Sequence, residues 1–159
     1  MYKQFLAGLA LILPLLANAD FDEGIAAYTG SDYAKAVAEL KPLADQGSAD
    51  AQHYMGLMSH YGYGTAKDQT VAANWFRKAA VQGDPRSQYY LGKMYEAGDG
   101  VARSLPDAFM WLSLSAAGSS MSRDSVYTKE DLGKLERRMT PEQVAKAKDM
   151  AKQWKPQPK

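Results

Sequence analysis

Residues 69–104 repeat residues 33–68 without a gap, and this internal repeat leaves few folds open to the chain. The two copies are identical at 11 of 36 positions. The identical positions are mostly small or aromatic, and in the first copy they are Ala36, Ala44, Gln46, Gly47, Gln52, Tyr54, Gly56, Met58, Gly62, Gly64 and Ala66. A period in the thirties with two helices per unit is typical of an α-solenoid, in which each hairpin buries its apolar side against its neighbours.

Each copy has the pattern of a helical hairpin. In the second copy, apolar residues at i, i+3, i+4, i+7 and i+8 predict a first helix over about Val71 to Gln82. Gly83 suits a left-handed residue that closes this helix, and Asp84 and Pro85 suit the N-cap and first position of a second helix. Gly92 lies inside the second helix, where glycine costs about 1 kcal/mol relative to alanine. Because the first copy also has glycine at this phase, we expect a close helix crossing there.

The pattern weakens at both ends of the repeats. Only a first helix recurs after residue 104, at the positions Ala108, Trp111, Leu112 and Ala116. Before the repeats, Phe21–Tyr28 predicts a short helix that caps the N-terminal end of the stack, since terminal units of solenoids are atypical. Lys41–Pro42 predicts a kink in the first helix of the first copy, after which the helix resumes.

The C-terminal part predicts two further helices. We expect a connection over residues 119–127 and then a helix from Lys129 to about Arg138, capped by Thr128 and Asp131 and replacing the missing second helix of the third copy. Thr140–Gln143 is a capping box with proline at the first helical position, and it predicts a closing helix to about Trp154. Residues 155–159 are expected to form a frayed tail.

The N-terminus has the pattern of a bacterial signal peptide. Lys3 precedes an apolar run over Phe5–Leu16, and Ala17-Asn18-Ala19 is a small-x-small cleavage pattern. We expect residues 1–19 to be removed between Ala19 and Asp20, which makes the protein periplasmic or secreted; an uncleaved anchor is the alternative. The run is shorter than the roughly 20 apolar residues of a membrane span.

Composition excludes several classes of site and partner. The chain has no cysteine, so structural disulfides, thiolate metal sites, cysteine nucleophiles and a lipid anchor on cysteine are excluded. The formal net charge is +1. Residues 20–122 hold 8 basic and 12 acidic side chains, and residues 123–159 hold 10 basic and 6 acidic ones. A nucleic-acid reader is normally basic overall, so we expect no nucleic-acid partner.

The repeated segments resemble the Sel-one-like repeat (SLR) family, a relative of the tetratricopeptide solenoids. The residues that carry the resemblance are Ala79–Asp84, Gln88–Tyr95 and Gly98–Val101, with their counterparts Leu43–Gly47, Ala51–Gly56 and Gly62–Gly64. With the partial third copy, the resemblance covers about residues 33–118. Ser59 departs from the pattern where the second copy has Tyr95, and Ser87 replaces the alanine found at Ala51.

The resemblance implies an all-α fold, a right-handed α-α superhelix of two full hairpins and a partial third with capping helices. The corresponding divisions are residues 33–68, 69–104 and 105–138 for the repeats, within a solenoid of residues 20–154 closed by a cap helix at 140–154. It also implies a non-enzymatic adaptor or scaffold of the bacterial envelope that binds another protein or a peptide, with no cofactor.

Two tryptophans are the main candidates for partner contact. Trp75 and Trp111 occupy the same phase of successive first helices, where Glu39 is the counterpart in the first copy. First helices line the concave face of a solenoid, and aromatic residues dominate interface hot spots. The flanking positions expected to tune such a groove are Asn74, Arg77, Asp107 and Met110. Alternatively, the indoles pack between helices and contact no partner.

No set of residues assembles an active site. His53 and His60 are seven residues apart, which is not the i, i+4 spacing common for metal ligands on a helix, so we expect no metal site. The glycine loops at 62–64 and 98–100 lack the lysine and hydroxyl of a phosphate-binding loop. Basic residues of the last two helices interleave with acidic ones, which favours a solvated face over a membrane-binding one. An enzyme inhibitor acting through the loop at 119–127, a hydrolase-type enzyme and a structural subunit of a larger complex remain alternatives.

Overall fold

A computed structural model describes the backbone of residues 13–118 and 123–157, and the side chains of residues 21–118 and 129–157. Within these ranges the chain is helical and contains no strand. Its helices are α1 (Leu13–Thr29), α2 (Tyr33–Asp45), α3 (Ala49–Tyr61), α4 (Gln69–Val81), α5 (Pro85–Ala97), α6 (Leu105–Gly118), α7 (Arg123–Glu136) and α8 (Pro141–Gln153). The all-α repeat superhelix expected from the sequence is confirmed.

Matching caps at matching positions define the two full hairpins, α2–α3 and α4–α5. Ser48 and Asp84 accept hydrogen bonds from the backbone N–H three residues on, and so cap α3 and α5. Gly47 and Gly83 have φ values of +97° and +101°, a conformation that non-glycine residues rarely adopt. The predicted left-handed closure at Gly83 and the predicted start of the second helix at Pro85 are both confirmed.

Close helix crossings recur along the stack. A Cβ added to Gly56 would lie 2.6 Å from the ring of Phe76, and one added to Gly92 would lie 2.7 Å from Cγ of Leu112. These glycines therefore let each second helix approach the first helix of the next repeat, as the sequence predicts. The same contact joins α1 to α2, because a Cβ on Gly24 would lie 2.6 Å from Cγ of Leu40. Helix α1 thus acts as the second helix of a half repeat and caps the stack.

A buried glutamine fixes each hairpin internally. The Nε2 groups of Gln52 and Gln88 donate to the carbonyl oxygens of Ala44 and Ala80, at 3.0 and 3.1 Å. Both side chains are almost fully buried. Each carbonyl oxygen also accepts from the backbone N–H of the glycine three residues on, Gly47 or Gly83, at 3.0 Å. The glutamine therefore adds a second hydrogen bond at the end of the first helix and satisfies its own buried amide group. The repeated glutamine is therefore a structural part of the unit.

The start of helix α7 differs from the prediction. Helix α7 begins at Arg123, so residues 123–127 are helical although the sequence predicts a connection there. Residues 123–132 contain no glycine or proline that would interrupt a helix. The helix therefore begins on the N-terminal side of the predicted cap at Thr128. Residues 119–122 of the predicted connection lie outside the described residues. Helix α2 continues through Pro42, as expected for a helix that resumes after it.

The C-terminal helix folds back onto the first helices. The predicted capping box of α8 is confirmed, with Thr140 and Gln143 bonded reciprocally. Ala147 is fully buried against α6, and Trp154 packs against the apolar cluster that α4, α5 and α6 form. Beyond the helix, the backbone N–H of Gln157 donates to the carbonyl oxygen of Val81 at 2.8 Å. Residues 154–157 therefore contact the solenoid in this structure, and residues 158–159 of the predicted frayed tail lie outside the described residues.

We call Trp154–Gln157 the C-terminal strap. It crosses the end of α4 and covers part of α6. The predicted signal peptide overlaps the start of α1 at Leu13, and its residues 1–12 lie outside the described residues. Within residues 13–118 and 123–157, no helix combines the length and apolarity that a membrane span requires.

Candidate functional site

The exposed side of α4 carries a connected set of polar and aromatic side chains. Trp75 is half-buried, with one side against the apolar cluster formed by α1, α2 and α3. The Nζ of Lys78 lies 4.3 Å from the centre of its ring, which is a cation–π distance. Asn74 is exposed beside them. We call Asn74, Trp75, Arg77 and Lys78 the α4 patch.

A tyrosine from the second helix holds the α4 patch in place. The guanidinium of Arg77 donates to the Oδ1 of Asn74 at 3.1 Å and to the hydroxyl of Tyr95 at 3.2 Å. Tyr95 is half-buried on α5. Because the guanidinium is bonded on two sides, less side-chain freedom is lost when it meets a partner. The α4 patch is therefore a preorganised surface.

The other predicted tryptophan is covered. Trp111 on α6 is 7% exposed, and its indole packs edge-on against Trp154 with ring centres 6.3 Å apart. Met110, the neighbouring candidate, is 8% exposed. In this conformation neither side chain offers much surface to a partner. The structure thus separates two residues that the repeat pattern treats as equivalent, with Trp75 open and Trp111 closed.

The remaining candidates lie apart from the α4 patch. Glu39 is half-buried against α1, where its Cβ is 3.3 Å from the position a Cβ would take on Gly24. Asp107 is bonded to Ser104 at the start of α6. Each of these two side chains has a local contact at a helix boundary or helix crossing. The structure therefore brings together Asn74, Trp75 and Arg77, and it does not add Glu39 or Asp107 to them.

A buried polar network joins α3 to α5 behind the α4 patch. The Oγ of Ser87 donates to Asp84 Oδ2 at 2.5 Å, and Nδ1 of His53 lies 2.9 Å from the same Oγ. Since the hydroxyl proton is directed at Asp84, the Oγ accepts from Nδ1–H of a neutral imidazole. His53 is 5% exposed, and burial lowers the pKa of its imidazole to about 4, although the charge of Asp84 acts in the opposite direction.

This network resembles a serine–histidine–acid set only in composition. Ser87 is fully buried, and its proton is given to the carboxylate and not to the imidazole. A nucleophilic serine needs an exposed Oγ whose proton the histidine accepts. The network therefore links two hairpins and has no catalytic geometry. The repeat pattern does not link His53 with Ser87, although each departs from its counterpart: His53 stands where the second copy has Tyr89, and Ser87 stands where the first copy has Ala51.

The second histidine has a separate partner. The Nδ1 of His60 lies 2.7 Å from Gln69 Oε1, and Gln69 Nε2 donates to the His60 carbonyl oxygen at 3.2 Å. These bonds tie the end of α3 to the start of α4. Among the described residues, no group of three or more histidine, cysteine, aspartate or glutamate side chains has the arrangement of a metal site.

A row of tyrosines runs along the N-terminal half of the stack. The rings of Tyr33 and Tyr63 are stacked with centres 4.4 Å apart, and Tyr61 continues the row at 5.3 Å from Tyr63. Tyr61 is 47% exposed, while Tyr28 closes the inner side through edge contacts to Tyr33. Burial raises the pKa of the Tyr28 phenol above its usual value. The tyrosines of this row mainly pack against one another, and the Tyr61 ring is the one exposed to solvent.

Basic residues at the C-terminal end are paired within the protein. Lys93 donates to Glu96 at 2.6 Å on α5, and Arg138 contacts the same carboxylate from the end of α7. Partial burial opposes the charged form, but the hydrogen bonds from Lys93 and Arg138 outweigh it and hold the pKa of Glu96 below its usual value. Lys148 on α8 pairs with Glu136 at 2.8 Å. The Arg138–Glu96 pair ties the segment after α7 to α5, and the Lys148–Glu136 pair ties α8 to α7.

Comparisons with known proteins place the repeats in a described family. A family model described as the Sel1 repeat matches residues 49–84 and 85–120. Both matched units are 36 residues long, as the period of the sequence predicts. No curated protein matches the chain.

Two solved structures are similar to the chain. One is a protective antigen present in uropathogenic Escherichia coli strains and displaying an SLR fold; it has a TM-score of 0.78 and 28% identity over 87% of this chain. This chain spans about 29% of the antigen's length. The other is a Sel1 repeat protein from Oxalobacter formigenes, with a TM-score of 0.64 and 31% identity over 74% of this chain and 88% of that protein.

Proposed function

Because this chain belongs to the Sel1-repeat (SLR) family of helical-repeat interaction scaffolds, we propose that it binds another protein or a peptide through the α4 patch. Its role is that of an adaptor in the bacterial envelope. The stacked hairpins hold the patch rigid, so that binding orders few side chains and the partner is selected by shape and charge.

A single observation carries the proposal. Trp75 keeps an open side on a first helix while its packed side rests on a buried cluster. Large aromatic side chains with one anchored and one open side are typical of binding hot spots. Lys78 and Arg77 flank the indole and add charged groups that match a carboxylate or a carbonyl-rich segment.

A scaffold function agrees better with the described residues than catalysis does. Sel1-repeat proteins are generally non-catalytic scaffolds. The one serine–histidine–aspartate group described is sealed from solvent and has its proton on the wrong side for nucleophilic attack. An inhibitor acting through the loop at 119–127 involves residues 119–122, which lie outside the described residues.

The envelope location is part of the proposal and is supported by the N-terminal pattern. A positive residue, an apolar run and a small-x-small motif precede Asp20. Fractionation of cells that express the full chain, followed by mass measurement of the mature protein, tests this part. The expected product begins at Asp20 in the periplasmic or secreted fraction. A cytoplasmic product that retains residues 1–19 contradicts the location while leaving the binding surface open to test.

Site-specific photo-cross-linking tests the binding surface. A benzophenone amino acid replaces Asn74 in the α4 patch or, as the matched control, Thr65 in the loop between α3 and α4; both side chains are exposed. We expect a discrete cross-linked partner from position 74 and none from position 65. Trp75→Ala should weaken capture about 30-fold, since loss of a hot-spot tryptophan costs about 2 kcal/mol. Equal cross-linking from both positions contradicts the proposal.

A further inference from the structure

The C-terminal strap shows how an extended segment sits on the first helices. Its contacts involve three groups: the Trp154 ring against Trp111, Pro156 beside Gly83, and the Gln157 N–H on the Val81 carbonyl. The strap begins in an extended conformation, with φ −65° and ψ 140° at Trp154, which is close to polyproline II geometry. Proline favours this geometry in the residue that precedes it.

The strap passes within van der Waals distance of Gly83. The Cβ and Cγ of Pro156 lie 3.8 and 3.7 Å from the position a Cβ would take on Gly83. Gly83 follows the last turn of α4 with positive φ, so the chain turns away and leaves the Val81 carbonyl oxygen accessible. An extended segment therefore obtains one aromatic contact, one proline contact and one backbone hydrogen bond on this surface.

The same surface exists one repeat earlier. A shift of 36 residues maps Val81 onto Asp45, Gly83 onto Gly47 and Trp111 onto Trp75. The last pair packs alike, since each indole leans on the apolar cluster of the preceding hairpin. The backbone also matches, with φ of +97° at Gly47 and +101° at Gly83.

The two copies of this surface differ in what covers them: the strap lies over Trp111, whereas the exposed Lys78 places its Nζ 4.3 Å from the centre of the Trp75 ring. Trp111 is 7% exposed beneath the strap, whereas Trp75 remains half-buried. The Val81 carbonyl oxygen accepts from Gln157, whereas no group in the described part of the chain donates to the carbonyl oxygen of Asp45. The earlier copy therefore has the same three contact groups, and no strap covers them.

We propose that the Asp45–Gly47–Trp75 surface binds an extended segment of a partner protein with the pattern aromatic-x-Pro-x, in the manner in which the chain binds its own strap. The aromatic residue packs on Trp75, the proline lies over Gly47, and the N–H of the residue after the proline donates to the Asp45 carbonyl oxygen. Proline keeps such a segment extended before binding, which lowers the entropy lost on docking. This inference rests on the proposed function and names the chemistry of its partner.

The strap sequence is the probe that tests this inference. The acetylated and amidated peptide Trp-Lys-Pro-Gln is added to the full-length, isotope-labelled protein, and amide and indole N–H shifts are followed by NMR. The strap is tethered directly to α8, and short tethers give effective concentrations in the millimolar range, so the free peptide is used at up to about 10 mM. We expect saturable shifts at Gly47 and Trp75, and none at Gly83 and Trp111, whose sites the strap occupies.

Two controls separate the contacts. A peptide with an N-methyl group on its glutamine cannot donate to the Asp45 carbonyl oxygen and should bind the unmodified protein at least fivefold more weakly. Trp75→Ala should weaken binding of the parent peptide at least tenfold while the Gly83 and Trp111 signals stay unchanged, which shows that the fold is intact. Absence of shifts at Gly47 and Trp75, or equal affinities for both peptides, overturns the inference.

The result is distinguishable from failure of the proposed function. If a partner is cross-linked from position 74 but the peptide does not bind, the aromatic-x-Pro-x chemistry is wrong and the α4 patch stands as a binding surface. If the peptide binds at Trp75 and its affinity falls with N-methylation, the chemistry is supported whether or not a cellular partner is captured. Shifts that are confined to Gly83 and Trp111 contradict the proposed binding at the Asp45–Gly47–Trp75 surface.

Discussion

Acidification should destabilise the fold through one buried imidazole. His53 is neutral and 5% exposed, and its Nδ1–H donates to Ser87, which in turn donates to Asp84. Burial lowers the pKa of His53 to about 4 from the ordinary value of 6.5. Asp84 and Asp50 favour the protonated form and Arg86 disfavours it, but burial is the largest effect. Protonation therefore favours the unfolded chain.

The size of the effect follows from the pKa difference. Because the pKa of His53 is lower in the folded state, its titration costs no stability above the unfolded-state pKa of about 6.5. Below that pH the free energy of unfolding decreases as the pH falls towards 4. Each pKa unit is worth about 1.4 kcal/mol, so the full loss attributable to His53 is about 3 kcal/mol. That is a large fraction of the 5–15 kcal/mol by which domains are typically stable.

Urea denaturation at a series of pH values between 7.5 and 4 measures this loss. The matched variant is His53→Asn, whose side-chain nitrogen can donate to Ser87 but does not titrate in this range. We expect the variant to be less stable at pH 7.5, because packing is lost, and to show a pH dependence smaller by about 3 kcal/mol. If His53→Asn loses stability as steeply as the unmodified protein on acidification, the buried imidazole is not the cause.

Two further predictions concern the crossings and the strap. Gly92→Ala should lower the free energy of unfolding by about 1–2 kcal/mol, because a Cβ there would lie 2.7 Å from Leu112 and overpacking outweighs the gain in helix propensity; Gly133→Ala, whose Cβ would meet nothing closer than 3.8 Å, should raise it by up to about 1 kcal/mol. Urea denaturation measures both changes in the free energy of unfolding, and changes of the same sign in the two variants contradict a close crossing at Gly92. Gln157→Pro removes the N–H that holds the C-terminal strap and should speed solvent exchange of the Trp111 indole N–H, whereas Gln157→Ala keeps the N–H and should not; equal exchange rates contradict the strap contact.

Periodicity was sufficient to predict the repeating part of the fold. The mid-helix glycines at a spacing of 36 predict crossings, and Gly92 indeed lies where Leu112 packs. The half repeat at the N-terminus is less visible, because Gly24 precedes Gly56 by only 32 residues and therefore falls outside the period. Its crossing with Leu40 emerges only from packing.

The C-terminal strap was not predictable from local sequence. It has four residues and no apolar period, and the carbonyl group that it contacts at Val81 is 76 residues away in the chain. For the same reason the repeat pattern treated Trp75 and Trp111 as equal candidates. Their difference in exposure arises from a tertiary contact that neither tryptophan's neighbours in sequence reveal.

The affinity of the cross-linked partner for two exposed-site variants tests the role of the α4 patch most directly. Asn74→Arg places a bulky charge on the patch without touching a buried residue, and Thr65→Arg places the same charge on the loop between α3 and α4. We expect calorimetric titration to give at least a tenfold loss of affinity for Asn74→Arg and no change for Thr65→Arg. Unchanged affinity in both variants would contradict a binding surface centred on Trp75.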